Sequence, residues 1–322
     1  MRKKSFTKLI KNWNNLFFLR DAFINKIASI IYKRNKGIFL LDEPWDNLII
    51  LDACRYDFFK EAYDKRKLKG ILYKKKSRGS HTVSFLLENF RNIKYSDIVY
   101  ITANPHVDLL LRDKFHKIIS VWKDGWDEKE KTVLPKTMFE YAIEAKMNYP
   151  KKKIIIHFMQ PHYPYIGFKF GHHTLEKLKK PQQNCNSLMK RRKNNSFLTL
   201  YSAKIYSSIE KKTHIRVYKA NLELALDYVE KLIETLSGTI IITSDHGEAF
   251  GERIFPFLPF KLFGHHRRFK IPILLKIPWL KFKSPYESAR FSSDIVERLK
   301  IRNKVQNFKK DGLIGNQKNK LN

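Results

Sequence analysis

Disulfide chemistry is nearly missing from this chain. Its 322 residues include 2 cysteines, Cys54 and Cys185, far apart and with no spacing that would staple a small fold. That sparseness fits a reducing compartment. Long apolar runs are missing too. The stretch Phe6 to Leu19, FTKLIKNWNNLFFL, is broken by charge well short of the roughly 18 residues a spanning helix needs, and no small-residue cleavage site follows it. The pattern is neither a transmembrane segment nor a secretory signal, and a cytoplasmic location is the expectation. A Lys-rich helix with Trp13 and Phe17 on one side can lie on the inner membrane face as a peripheral contact, or pack on the domain with its lysines solvated. Acidic residues are few: 31 Asp and Glu stand against 64 Lys and Arg, a formal net charge of +33. Such a surplus attracts an anionic partner: a phospholipid surface, an acidic glycan or nucleic acid. No zinc-finger spacing or other nucleic-acid module is present, which ranks nucleic acid last.

What is present is a core. Hydrophobic residues make up 43% of the chain, with 24 Phe and 15 Tyr, and the length suffices for one large domain. Residues 1 to about 40 form the basic amphipathic segment, 41–303 the domain, and 304–322 an Asn/Lys-rich basic tail. Apolar runs suited to strands occur at 47–52, 69–74, 97–101, 117–121, 153–157, 239–244 and 271–276. Helical spacing occurs at 83–91, 137–147, 217–233 and 285–301. This alternation predicts an α/β fold, a mainly parallel central sheet with helices on both faces. Between about 168 and 213 the apolar period gives way to a basic insertion carrying Lys190, Arg191, Arg192 and Lys193, a candidate lid or substrate loop that a solvated loop would equally explain.

Two of the strands end in chemistry. Gly238 to Glu248, GTIIITSDHGE, is a β-branched run that stops at Asp245 and His246. Asn47 to Asp57, NLIILDACRYD, stops at Asp52. Ligands of open α/β sheets gather beyond the carboxyl ends of the strands. Carboxylate oxygens and an imidazole brought to one sheet edge suit a divalent cation such as zinc, manganese or iron. The alternative for each acid alone is a helix N-cap.

These motifs resemble the alkaline phosphatase superfamily, in particular its sulfatase-like branch and archaeal sulfatase-like proteins. The resemblance rests on LDACRYD (Leu51–Asp57), HFMQPHYP (His157–Pro164), SDHGE (Ser244–Glu248) and the pair Gly264, His265, and it covers about 47–278. It implies an alkaline phosphatase/sulfatase-like fold and an ester hydrolase or transferase. By position, it also implies one divalent ion held by Asp52, Asp245 and His246, with a hydroxyl nucleophile as a further ligand. The segment Ser77 to Leu87, SRGSHTVSFLL, offers Thr82 first, Ser80 second and Ser84 third. A helix starting near Thr82 would point N–H groups at an oxyanion, and the alternative for these hydroxyls is again a cap. The Cys-x-Pro-Ser-Arg segment of formylglycine sulfatases is missing, which favours a phosphate ester over a sulfate ester.

His162 follows a strand, and the resemblance implies contact with the substrate's oxygens or leaving group for a histidine in that place. His157 and His265 are candidates for substrate binding, and Arg78 and Arg55 for clamping the anion. The alternatives are a strand-end histidine for His157, a surface residue for His266 and a pairing with Asp57 for Arg55. Zinc or manganese is expected in preference to calcium. One ion is expected rather than two, because the histidines offered for a second lack an aspartate. The function expected is metal-dependent hydrolysis or transfer at a phosphate or sulfate ester of a glycan or lipid. The alternatives are an inactive sulfatase-like protein that binds anionic glycans or lipids, and a charge-driven nucleic-acid binder.

Overall fold

The computed structural model describes residues 37–90, 92–168, 210–253, 261–265, 269–300 and 302. The basic segment before residue 37, most of the insertion (169–209), His266 and the tail therefore lie outside the described residues, as does the surface on which the membrane expectation rests.

In chain order the elements are β1 (Asn47–Asp52), α1 (Tyr56–Arg66), β2 (Ile71–Lys76), α2 (Thr82–Phe90), β3 (Tyr95–Thr102), α3 (Pro105–Leu111), β4 (Phe115–Ser120) and α4 (Val121–Asp124). There follow β5 (Trp126–Asp127), β6 (Thr132–Val133), α5 (Pro135–Asn148), β7 (Lys153–Pro161) and α6 (Lys211–Thr235). The described chain continues with β8 (Thr239–Ser244), β9 (Phe250–Arg253), β10 (Lys261–Phe263), α7 (Pro272–Leu275) and β11 (Lys276–Lys283), and residues 293–300 are helical.

Seven strands form the main sheet in the order β2-β11-β8-β1-β7-β3-β4. β11 runs antiparallel to both of its neighbours, and the other pairings are parallel. This is the expected fold class. The central strand β1 is buried at all six positions, as an apolar run covered on both faces should be. Its side chains alternate between two cores. Ile49 and Leu51 join Ile154, Ile156 and Ile242 under α5 and α6. Leu48 and Ile50 join Tyr100, Ile155 and Ile241 under the Phe85 and Phe90 rings of α2.

One strand is misplaced by the sequence pattern. The expected strand 271–276 is instead the helical turn α7, with Pro272 in its first turn, and the strand follows as Lys276–Lys283. Proline has no N–H for a ladder but suits the first helical position, and a short apolar run does not distinguish the two states. Helix α1 has no counterpart in the sequence reading. Asp57 in its first turn and Lys65 and Arg66 in its last match the helix dipole, and Lys67, with φ 52, closes it.

Candidate active site

The carboxyl ends of β1, β8 and β3 meet at one edge of the sheet and supply Asp52, Asp245 and Asn104, while His157 comes from within β7 beside them. The turn after β1 is locked from its neighbours. Ala53 adopts φ 57, a left-handed conformation that costs residues with a Cβ and persists where surroundings fix it. Its N–H donates to Asp245 Oδ1 (2.9 Å) and its carbonyl accepts from the Tyr218 hydroxyl (2.8 Å). The N–H of Cys54 donates to Ser244 Oγ (2.8 Å), and that of Arg55 to the Tyr218 hydroxyl (3.0 Å).

Asp245 is fully buried. Its Oδ1 also accepts from the N–H of His246 (2.8 Å), and its Oδ2 accepts from Thr82 Oγ1 (2.8 Å). His246 Nδ1 lies 2.8 Å from the Gly247 carbonyl. A carbonyl only accepts, so Nδ1 carries the proton and Nε2 keeps its lone pair. That nitrogen is 3.3 Å from Thr82 Oγ1, 3.3 Å from Asp245 Oδ2 and 3.7 Å from Asp52 Oδ1. Asp52 Oδ2 accepts from Asn104 Nδ2 (2.8 Å), while Oδ1 is buried with no hydrogen-bond partner. His157 is fully buried, with Nδ1 3.0 Å from the Tyr100 hydroxyl and Nε2 lacking a partner. Ligand atoms of Asp52, His157 and Asp245 lie within 4.8 Å of one another.

Burial pushes the Asp52 carboxyl well above its ordinary range, and the facing Asp245 adds to the rise. Burial acts upward on Asp245 as well, but the His246 and His157 imidazoles and the Ala53 and Thr82 donors outweigh it and bring it down. Burial lowers His246, and takes His157 down to about 4, so both rings are neutral near pH 7. Two facing buried carboxylates, neutral imidazoles, and an unpartnered oxygen and nitrogen form a donor set that a divalent cation satisfies. Imidazole nitrogen among the donors suits zinc or manganese better than calcium.

A second group stands beside the first. His162, Glu248 and His265 place ligand atoms within 4.8 Å of one another. The His265 ring lies 4.3 Å from that of His246 and 5.0 Å from that of His162, centroid to centroid. His265 Nδ1 is 3.0 Å from Glu248 Oε2. Burial acts downward on His265, but Glu248 outweighs it and raises the ring, while burial takes His162 to about 4. The case for a single ion lay in the lack of an aspartate near these histidines, and Glu248 supplies a carboxylate there.

Glycine is required twice nearby. A Cβ on Gly247 would sit 2.2 Å from the Ile273 carbonyl oxygen, and one on Gly79 would sit 2.2 Å from the Phe85 nitrogen. The loop before α2 therefore lies directly on the helix start, and Thr82 reaches Asp245 and His246 from there. Ser80 is fully buried with its hydroxyl unpartnered. Ser84 Oγ donates to the His81 carbonyl (2.9 Å). The Arg78 guanidinium lies over the Phe39 ring, 5.3 Å from its centroid. Arg55 takes the pairing alternative, bonding both oxygens of Asp57 (2.9 and 2.5 Å) and Glu252 (2.6 Å). His162 is set by its loop: Asn221 Nδ2, from α6, donates to the carbonyls of Pro161 (3.2 Å), His162 (3.1 Å) and Pro164 (3.3 Å).

No family model and no curated protein matches the chain. Solved structures that it resembles include the integral membrane lipooligosaccharide phosphoethanolamine transferase A (EptA) from Neisseria meningitidis, with TM-score 0.44 and 11% identity over 88% of this chain and 58% of that one. Another is the C-terminal periplasmic domain of EcEptC from Escherichia coli in complex with Zn, with TM-score 0.44 and 16% identity over 77% and 76%. A third is a protein in the alkaline phosphatase superfamily from Vibrio parahaemolyticus, with TM-score 0.40 and 12% identity over 81% and 66%. The superfamily is thus represented among its structural neighbours. At these identities the likeness is one of fold, and the chain spans 58% of the length of the Neisseria transferase.

The cytoplasmic location expected from the sequence is contradicted by what these neighbours are: the Escherichia coli one is a periplasmic domain and the Neisseria one an integral membrane protein. The physical reason is that scarce cysteines permit a reducing compartment without requiring one; Cys54 is a buried free thiol. Among the described residues no helix is long and apolar enough to cross a membrane.

Several site residues escaped the sequence reading. Glu248 lies within the SDHGE motif, and His81 adjoins Thr82. Asn104 lies two residues beyond β3, where the strand-end rule that selected Asp52 applies. His106 Nδ1 lies 2.9 Å from Asn104 Oδ1, and burial lowers its ring. Burial and the neighbouring imidazoles take His81 to about 3.

Proposed function

We propose that the protein is a divalent-metal-dependent hydrolase or transferase for phosphate esters, with Thr82 as nucleophile and a glycan or lipid ester as substrate. One observation carries this reading: Thr82 Oγ1, at the first residue of α2, is 2.8 Å from Asp245 Oδ2 and 3.3 Å from the bare Nε2 of His246. Asp52, Asp245, His246 and Thr82 would hold the cation, which when bound supplies Lewis-acid activation of a hydroxyl that is otherwise a weak nucleophile.

The chain's own groups account for the remaining steps. Asp245 Oδ2 accepts the hydrogen bond of the Thr82 hydroxyl and so fixes the direction of its lone pairs. Attack forms the Thr82 Oγ–P bond and breaks the P–O bond to the leaving alcohol, while the Thr82 hydroxyl proton passes to Asp245 Oδ2, its hydrogen-bond acceptor. The N–H groups at the start of α2 face the phosphoryl oxygens. His162 and His265 stand at the second group, and His265, kept basic by Glu248, can protonate the leaving oxygen. Water or an acceptor hydroxyl then attacks phosphorus and gives its proton to His265, the bond to Thr82 breaks, and the proton held at Asp245 Oδ2 returns to the Thr82 oxygen. The missing Cys-x-Pro-Ser-Arg segment favours phosphate over sulfate, and the charge of +33 favours an anionic substrate surface.

Chromogenic phosphate monoester, phosphate diester and sulfate ester substrates, each with added Zn²⁺ or Mn²⁺, test the reading. Phosphate ester turnover that Thr82→Val abolishes is expected. Silence across the panel, or turnover that survives Thr82→Val, overturns it.

A further inference from the structure

We propose that His157 is a ligand of the cation, giving its Nε2 to the site shared by Asp52 and Asp245, and that Tyr100 is the positioning residue that sets its tautomer. The inference rests on the metal-centre reading above and deepens it. His157 is fully buried within β7, beside Ile50 of β1 and Thr102 of β3. Beyond it the β1/β7 register jumps from Leu51↔Phe158 to Asp52↔Pro161. Such an irregularity opens the ladder where a side chain is to be aimed at a site.

Tyr100, Ile50 and Ile155 share one core with Phe85 and Leu86 of α2. By strand alternation, Asp52 and His157 lie on that face of the sheet, the face from which Thr82 approaches. A ring placed in such a core for packing alone would be apolar. This ring engages Tyr100 with one nitrogen (3.0 Å) and leaves the other unpartnered. Unmet polar atoms at fully buried positions are few in folded proteins. Here Asp52 Oδ1 is a second such atom, and ligand atoms of Asp52, His157 and Asp245 lie within 4.8 Å of one another. An unmet acceptor oxygen and an unmet ring nitrogen in one buried cluster are satisfied together by a cation between them. An imidazole that gives one nitrogen to a metal commonly donates the other N–H to an oxygen that orients it. Tyr100 Oη occupies that position. With Thr82 and His246 the count is five donors, which manganese accepts and which catalytic zinc reaches.

The full chain is loaded with Co²⁺ or Zn²⁺, and affinity is read by chelator competition and the ligand field by visible absorption of the Co²⁺ form. His157→Phe should weaken metal binding at least about 10-fold and change the Co²⁺ spectrum, and Tyr100→Phe should weaken it about 10-fold. A folded His157→Phe protein with unchanged affinity and spectrum overturns the proposal. If Asp245→Asn loses the metal in that case, the metal-centre reading stands and only His157 leaves it. If Asp245→Asn also keeps wild-type affinity, the metal-centre reading fails as well. Should His157→Phe not fold, His157→Gln is read in its place: weakened binding with a changed Co²⁺ spectrum supports the proposal, and unchanged affinity and spectrum overturn it. Weakened binding in His157→Phe with none in Tyr100→Phe keeps the ligand and removes Tyr100.

Discussion

Replacing Asp245 by Asn separates what that side chain does for the fold from what it does for a cation. Oδ1 accepts from the N–H groups of Ala53 and His246, and the amide oxygen of Asn can keep both bonds. Oδ2 faces the Thr82 hydroxyl and His246 Nε2. An amide nitrogen there can donate to His246 Nε2 or to Thr82 Oγ1. The change also removes a negative charge facing Asp52, whose carboxyl burial and Asp245 together hold up. The metal-free variant should therefore melt within about 1 kcal/mol of the metal-free wild type. Metal binding should suffer far more. Apparent zinc affinities of about 10–16 kcal/mol shared over the four donors of a structural site give about 2.5–4 kcal/mol for each, so losing one charged donor lowers affinity about 50- to 1000-fold. Chelator competition on matched samples reads this directly, alongside thermal melts in excess chelator. Wild-type affinity in a folded Asp245→Asn protein would refute the reasoning.

Three further outcomes follow from the same geometry. Asn221→Leu removes the donor to three carbonyls of the His162 loop; it should cost about 2–3 kcal/mol in a denaturant melt and lower kcat about 100-fold through a misplaced His162. Gly247→Ala places a Cβ 2.2 Å from the Ile273 carbonyl oxygen, and the forced shift should cost about 1–3 kcal/mol and weaken metal retention, checked by melting and metal content. Burial holds the His214 ring, bonded through Nε2 to the Tyr165 hydroxyl (2.7 Å), down at about 4 from 6.5. A base whose folded pKa is depressed contributes stability that is fully present above about pH 6.5 and is lost as pH falls toward 4, here about 2–3 kcal/mol, so His214→Gln should flatten the acid limb of stability against pH by that amount.

The sheet was legible because its strands declare themselves. NLIILD and TIIITS are runs too apolar for a surface, and each stops at an acid, so Asp52, Asp245 and His246 could be placed at one sheet edge before any coordinates. Thr82 was legible as the opening of an apolar helix. Glu248 was harder, since nothing local tells a carboxylate that faces His265 from one in solvent. His157 was misleading for another reason: it sits inside β7 rather than beyond its end, and only the three-dimensional neighbours reveal that one ring nitrogen is unmet. The 271–276 run illustrates the remaining gap, because Ile271, Pro272 and Leu274 read as a strand until the carbonyl of Ile273 is seen packing against Gly247. The antiparallel placement of β11 between β2 and β8 depends on pairings that no single-sequence pattern encodes.

The proposed nucleophile is Thr82, attacking the ester with Asp245 and His246 at its oxygen. Intact-protein and peptide mass spectrometry of metal-loaded enzyme, quenched during turnover of a phosphate ester, tests it most directly. A phospho-adduct is expected on the peptide carrying Thr82, localised to that residue and missing in Thr82→Val. An adduct on Ser80 or any other side chain in an enzyme that turns over would contradict it.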